Sequence, residues 1–256
     1  MENNDLRYRL SGEAYEYVRM LYHLHCDNSR YRYYAKYPNN DTEVSMMPLT
    51  PFVFEFFIFN SIYQVNWEKT LDNKRLIYHN DHDYVEKKES TTINNSPNKS
   101  IGERKQQNYL LDCLIKHSGK NPNILSQAFR KLRSVKEVSG DWTKTSQGQR
   151  INHEEGKKFF SIIRNLHRIL TKETSKIEDK DIDLIFKQLI ECVSFVYKVR
   201  CNIFHGSKSL AEINQYNQKK RINIYYVLIH GVNELFFLTI SENTTKQYDT
   251  TFEWLK

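Results

Sequence analysis

Apolar residues along this chain recur at intervals of three and four, not in alternation, so the pattern predicts helices almost throughout. The longest stripe runs through Ile182, Phe186, Leu189, Val193, Val196 and Ile203. Its spacing demands one more apolar residue at position 200, and the chain has Arg200 there. A second stripe, Ile222, Tyr225, Tyr226, Ile229, Val232, Phe236 and Ile240, predicts another long helix from Lys219 to Ile240. Phe52 through Trp67 (FVFEFFIFNSIYQVNW) reads as an aromatic helix opened by Thr50-Pro51, a cap followed by proline at the first helical position. Near the N-terminus, Ser11 can cap a helix that runs to about Cys26, with Ala14, Val18, Leu21 and Tyr22 facing inward. Further helices are expected over 105–117, over 122–138 behind Asn121-Pro122, and near 154–171. Ser175 with Glu178 or Asp179 supplies the start of the helix that carries Arg200.

Polar intervals separate these elements. Tyr31 to Tyr37 is a connector or a short strand. Residues 86–105 have almost no apolar content and read as a surface loop or disordered insertion, and Gly140 to Gly148 forms a second polar loop. No internal repeat and no clean linker divides the chain. The expected architecture is therefore all-α and a single domain over 1–256. It comprises an N-terminal helical extension (1–48), a first core helix region (49–80), a polar loop (81–105) and the remaining core helices (106–256).

Composition agrees with a helical reading, for 256 residues contain only 8 Gly and 5 Pro. Counts of 17 Tyr and 14 Phe imply a core built largely on aromatic rings. The formal charge of +7 and pI near 9.0 suit a polyanionic partner, a balance that proteins binding nothing acidic also share. Cysteines 26, 113, 192 and 201 form no CxxC pair and read as packed thiols. No apolar run approaches the ~20 residues needed to span a bilayer, and Phe52–Ile62 is interrupted by Glu55. The opening residues MENNDLRYR are polar and read as no secretory signal, so a cytoplasmic protein without membrane contact is expected.

The off-pattern Arg200 is the main chemical candidate, because a guanidinium on a buried stripe is costly unless paired or used. His205 follows five residues later, and Gly206 is the residue type that ends a helix in a left-handed turn. On an unbroken helix, residues five apart point about 140° from each other. A stop at or before His205 lets the imidazole and the guanidinium converge, and the helix C-terminus favours the protonated ring. A phosphate-binding cation beside a titratable imidazole suits phosphodiester chemistry.

Arg200-Cys201-Asn202-Ile203-Phe204-His205-Gly206 resembles the R-x4-H signature of HEPN domains, an all-helical superfamily rich in metal-independent ribonucleases. The stretch 181–240 carries the close resemblance, with a second long helix after the motif. The looser part is 49–67, where Phe56, Phe59, Asn60 and Tyr63 resemble the aromatic first core helix of such domains. Two features depart from the family. Cys201 stands where Asn, Asp or His usually follows the arginine, and Ser207 replaces a tyrosine that some HEPN toxins carry for modification by a partner.

The resemblance implies a HEPN-like bundle with peripheral helices and polar insertions, the motif lying at 200–205. It also implies an endoribonuclease without metal or other cofactor, acting by attack of the RNA 2′-OH. Its catalytic residues would be Arg200 and His205, with Asn202 positioning the phosphate or the ring. RNA is then the substrate, and a homodimer brings two motifs into one composite site. A stripe end that faces a partner subunit would also explain Arg200 among apolar positions. The implied setting is a toxin or antiviral effector with an antitoxin or regulatory partner. A non-catalytic RNA- or nucleotide-binding scaffold is the alternative, and Cys201 favours it.

Other chemistry is thinner. Arg30, Arg32 and Lys36 interleave with tyrosines as a single-strand RNA surface would, a pattern that a half-buried strand with a basic outer face also produces. Lys208, beside the motif, is a further candidate RNA contact. His79, Asp81, His82 and Asp83 read as a solvated turn, and His23 and His25 point to different faces of their helix. Ser118-Gly119-Lys120 lacks the rest of a phosphate loop.

Overall fold

A computed structural model of the chain describes residues 13–28, 34–37, 40–45, 47–73, 75–79, 102–118, 121–135, 153–204, 209–213 and 215–244. The fold is all-α. Its helices are α1 (Glu13–Asn28), α2 (Leu49–Tyr63), α3 (Trp67–Asn73), α4 (Glu103–His117), α5 (Pro122–Ala128), α6 (Arg130–Ser134), α7 (His153–Leu170), α8 (Asp179–Phe204), α9 (Leu210–Ile213) and α10 (Tyr216–Thr244). A small antiparallel hairpin, β1 (Tyr34–Tyr37) and β2 (Asn40–Ser45), lies between α1 and α2, so part of the 31–37 stretch is a strand. Most of the two polar intervals, with Asp81, His82 and Asp83, lies outside the described residues.

The pair α2 and α10 forms the centre of the molecule. Helix α2 buries Phe52, Phe56, Phe59 and Tyr63, whose rings meet in tilted and edge-to-face pairs. Each such ring removed from water is worth about 1.5–3 kcal/mol, so this one helix anchors much of the core. Helix α10 is buried on nearly every side between Arg221 and Ile240, with α1, α2, α4, α5 and α6 packed around it. Helices α7 and α8 pair on the other flank, where Phe159 stacks on Phe195 at 4.3 Å. Among the described residues, no helix is long and apolar enough to cross a membrane.

Several expected boundaries are corrected. Helix α2 starts at Leu49, not behind a Thr50 cap: the Pro48 carbonyl accepts from the Phe52 amide at 3.1 Å, and Pro51 falls in the first turn, where its missing N–H costs nothing. Helix α1 runs two residues beyond Cys26 to Asn28, and Ser11 lies outside the described residues. Ser175 falls in a short 3₁₀ turn, Thr174–Lys176; the start of α8 is closed by Asp181, whose carboxylate accepts from the Glu178 amide at 3.2 Å. The helix expected over 122–138 is two short ones, α5 and α6, broken at Phe129. The break carries the buried Phe129 ring onto Gly231 of α10, where any β-carbon would overlap the ring. Only glycine at 231 permits that approach. The Asn121 start is as expected, its side chain accepting from the Asn123 amide at 2.9 Å.

Candidate functional site

Among the described residues, two polar assemblies stand out in the apolar interior. The first is the end of α8. Ile182, Phe186, Leu189, Val193 and Val196 are buried in a row, and Arg200 occupies the next position of that row, half-buried just before the last turn. Its guanidinium carbon lies 5.4 Å from the centre of the Phe56 ring and 6.0 Å from that of Tyr197. Cation–π contact with two rings offsets part of the cost of withdrawing a guanidinium from water. Arg200 is therefore accounted for within its own chain, and its place on the stripe needs no two-fold mate to explain it.

The surroundings of Arg200 come from α2 and α4. Tyr63 donates to Asn60, and Tyr197 donates to the Glu103 carboxylate. Burial, then the nearby Glu103 charge, push Tyr63 up to about 12, so its hydroxyl remains a donor. Cys201 and Asn202 are half-buried; the Cys201 sulfur sits 4.0 Å from the Arg200 guanidinium, whereas Asn202, two residues on along a continuous helix, lies about 200° around the axis from Arg200. Arg200, Asn60 and Tyr63 thus gather at one place, between α2, α4 and α8. Helix α8 is described to Phe204; His205, Gly206 and Lys208 lie outside the described residues, as do Arg30 and Arg32. Lys36 lies on β1, opposite Glu43 in the hairpin register.

The second assembly belongs to no motif in the sequence. Glu55 of α2 is fully buried, and each oxygen of its carboxylate accepts twice. Oε1 accepts from His230 Nδ1 and Asn28 Nδ2, both at 3.1 Å. Oε2 accepts from His25 Nδ1 at 2.9 Å and Asn233 Nδ2 at 2.8 Å. His25 Nε2 reaches Glu234 at 2.7 Å, and the rings of His25 and His230 stack at 4.2 Å. Helices α1, α2 and α10 are stitched together by this one carboxylate.

The geometry dictates the charges. Both nitrogens of His25 face carboxylate oxygens, so both must carry hydrogen, and the ring is an imidazolium bridging two anions. Burial alone disfavours that charge, but Glu55 and Glu234 outweigh burial and raise His25 to about 9. Its position in the last turn of α1 adds the favourable end of the helix dipole. Burial likewise opposes ionisation of Glu55, and the His25 charge with the donated hydrogen bonds holds the carboxyl far below its ordinary range. His230 is kept neutral, first by burial and then by the adjacent imidazolium, while Glu55 pulls the other way. Lys131 of α6 stands near both glutamates, donating to the Tyr226 hydroxyl at 3.2 Å.

His25, Glu55 and His230 place ligand-type atoms within 4.8 Å of one another, which raises a metal centre as a reading. The rings argue against it. A metal bonds along a lone pair in the imidazole plane, and two rings stacked 16° from parallel cannot both aim one at the same ion. Both His25 nitrogens and all four Glu55 lone-pair positions are already engaged. The residues fit protons.

A signal for this assembly exists in the sequence. His25 continues the inward row Ala14, Val18, Leu21, Glu55 interrupts FVFEFF, and His230 interrupts the α10 stripe. Each is a polar residue among apolar ones, the same anomaly that marks Arg200. His23 is exposed and His25 buried, in keeping with their different faces. No family model, curated protein or solved structure matches the chain.

Proposed function

We propose that this protein is a HEPN-like, metal-independent endoribonuclease acting as a homodimer. The observation that carries the reading is the seat of Arg200. The two stretches with family resemblance, 49–67 and 181–240, meet where α8 ends against α2, and the arginine sits at that junction. In the proposed reaction the RNA 2′-oxygen attacks the adjacent phosphorus, the bond from phosphorus to the 5′-oxygen breaks, and a 2′,3′-cyclic phosphate and a 5′-hydroxyl result. His205 moves the proton, a role typically worth about 10²–10⁴-fold. Arg200 neutralises charge on the non-bridging oxygens, and Asn202 positions the phosphate or the ring. One imidazole cannot act as base and acid in the same instant, so a second motif from a two-fold mate supplies the other. The biological setting proposed with it is a toxin or antiviral effector restrained by a partner protein.

A non-catalytic RNA- or nucleotide-binding scaffold is the second reading, favoured by Cys201 lying against the guanidinium where the family resembled usually has Asn, Asp or His. Labelled RNA incubated in EDTA separates the two. The expected outcome is cleavage to 2′,3′-cyclic phosphate ends by wild type and none by His205→Ala. Cleavage of RNA whose 2′-OH is blocked, or loss of cleavage on chelation, rules the mechanism out.

A further inference from the structure

Asn60 stands one turn after Phe56 and one turn before Tyr63 on α2, so the three share a face. That face meets the end of α8. The Arg200 guanidinium carbon lies 5.4 Å from the centre of the Phe56 ring and within charge reach of the Tyr63 hydroxyl. Asn60 therefore sits between the two α2 residues that Arg200 approaches. Its neighbour Phe59 is fully buried, whereas Asn60 is half-buried and open to a ligand. The Tyr63 hydroxyl donates to Asn60 Oδ1, and Gln107 of α4 is buried beside the same hydroxyl. With Oδ1 taken, the amide is held one way round, and its Nδ2 hydrogens are left for another acceptor.

We propose that Asn60 is a second phosphate contact of the Arg200 site, its Nδ2 donating to a non-bridging oxygen that Arg200 neutralises. The inference rests on the reading of that site as one for RNA. An amide adds a donor and no charge, so the guanidinium keeps its full positive charge for the anion. Glu103, the carboxylate at this junction, is engaged by the Tyr197 hydroxyl. Helix α8 itself offers no amide in the same place. Asn202 lies about 200° around the axis from Arg200, so one phosphate cannot meet both. Cys201, on the near side, carries only a weak donor. The donor missing from α8 is thus supplied by α2, and the phosphate falls to Asn60 and not to Asn202. A donor fixed by Tyr63 before the substrate arrives needs no reorganisation as charge builds on the phosphoryl oxygens.

The test titrates the full-length protein into a fluorescein-labelled 2′-O-methyl RNA decamer of mixed sequence, which cannot be cut, and follows anisotropy. Asn60→Ala should weaken binding about tenfold, as loss of a hydrogen bond to a charged group does. On ordinary RNA it should lower kcat about 10²-fold, the effect of removing one preorganised donor. Tyr63→Phe frees the amide without removing it and should cost about threefold or less in either assay. Because Asn60→Ala also strands the Tyr63 hydroxyl, the decisive comparison is Tyr63→Phe against the double variant Tyr63→Phe/Asn60→Ala, which leaves neither bond partner unpaired. Those two should share one urea midpoint and differ in binding by the loss seen in Asn60→Ala. Equal binding by the two, or no binding by wild type, overturns the proposal. Cleavage is scored separately: Asn60-dependent binding without cleavage keeps the contact and defeats the ribonuclease reading, and cleavage with an indifferent Asn60 does the reverse.

Discussion

The end of α8 and the Glu55 assembly are both charged intrusions into an apolar core, and they solve the same problem in opposite ways. Glu55 is wholly enclosed and satisfied in every direction by donors from two helices, α1 and α10. Arg200 is half-buried, seated on rings that bear no full charge, at a helix end. A carboxylate with four donors is locked, because any movement strands a buried polar group. A guanidinium carries five donors in a fixed fork, and on aromatic faces it can exchange polar partners cheaply. Full satisfaction suits architecture and a looser seat suits chemistry, so the two regions should separate cleanly under mutation.

The largest separation is expected in activity. Arg200→Ala should lower the rate of RNA cleavage by about 10²–10³-fold, the usual cost of removing a group that stabilises transition-state charge. Its effect on stability should be small, within about 1 kcal/mol, the usual worth of a cation–π contact at a half-exposed site. Kinetics and urea titration on the same preparation read both. A variant that unfolds, or one that cuts at the wild-type rate, would move Arg200 to the architectural side.

Glu55→Gln should behave in the opposite sense. The amide is nearly isosteric, but its NH₂ meets donors from the surrounding side chains, and the His25 imidazolium loses a counter-charge. Breaking a buried pair in this way costs about 3–5 kcal/mol. In a chain of this size that is a fall in Tm of roughly 10 °C. An unchanged midpoint would show the network to be inert.

Periodicity makes the helices legible. The Arg200 stripe predicts α8, and α4, α7 and α10 fall close to where their apolar spacing puts them. The break at Phe129 is not legible, because it depends on a glycine about a hundred residues later in the chain admitting a ring. Nor is the Glu55 assembly. His25, Glu55 and His230 are each visible as anomalies in their own stretches, but a one-dimensional pattern does not say which anomalies meet. Contacts between α1, α2 and α10 are set by packing, and that information is spread over every side chain between them. Arg200 stands out for a contrasting reason: its candidate partner, His205, follows closely along the chain.

The pH dependence of stability isolates the assembly further. His25 has its pKa raised in the fold from 6.5 to about 9, so its contribution is complete below 6.5 and is lost as pH rises through about 9. That shift corresponds to roughly 3 kcal/mol. On the acid side the signs reverse. His230, lowered in the fold, weakens it as pH drops below 6.5, and Glu55 and Glu234, also lowered, do so as pH falls from 4.5. Unfolding free energy measured from about pH 4 to about pH 10 should therefore decline on both sides, and His25→Gln should flatten the alkaline limb and also shrink the acid one, because the imidazolium is part of what holds Glu55, Glu234 and His230 low. An alkaline limb that survives in His25→Gln would assign it to other groups.

The smallest effect is expected at Tyr197, where the two kinds of support at the α8 end can be told apart. Its hydroxyl donates to Glu103, and its ring lies under the Arg200 guanidinium. Tyr197→Phe removes the donation and keeps the ring; at a partly exposed site this should change stability by about 0.5–1.5 kcal/mol at most, and cleavage only slightly. Tyr197→Leu keeps apolar bulk and removes the ring face. That withdraws cation–π support of about 0.5–1 kcal/mol, a roughly two- to fivefold effect on kcat/KM if Arg200 must be held in place to act. The order of the two variants is the informative quantity. A larger loss from Tyr197→Phe would mean that the α4 contact through Glu103, not the aromatic seat, holds the arginine. The end of α8 would then resemble the Glu55 assembly, a site fixed by hydrogen bonds, and the contrast between the two regions would be one of exposure alone.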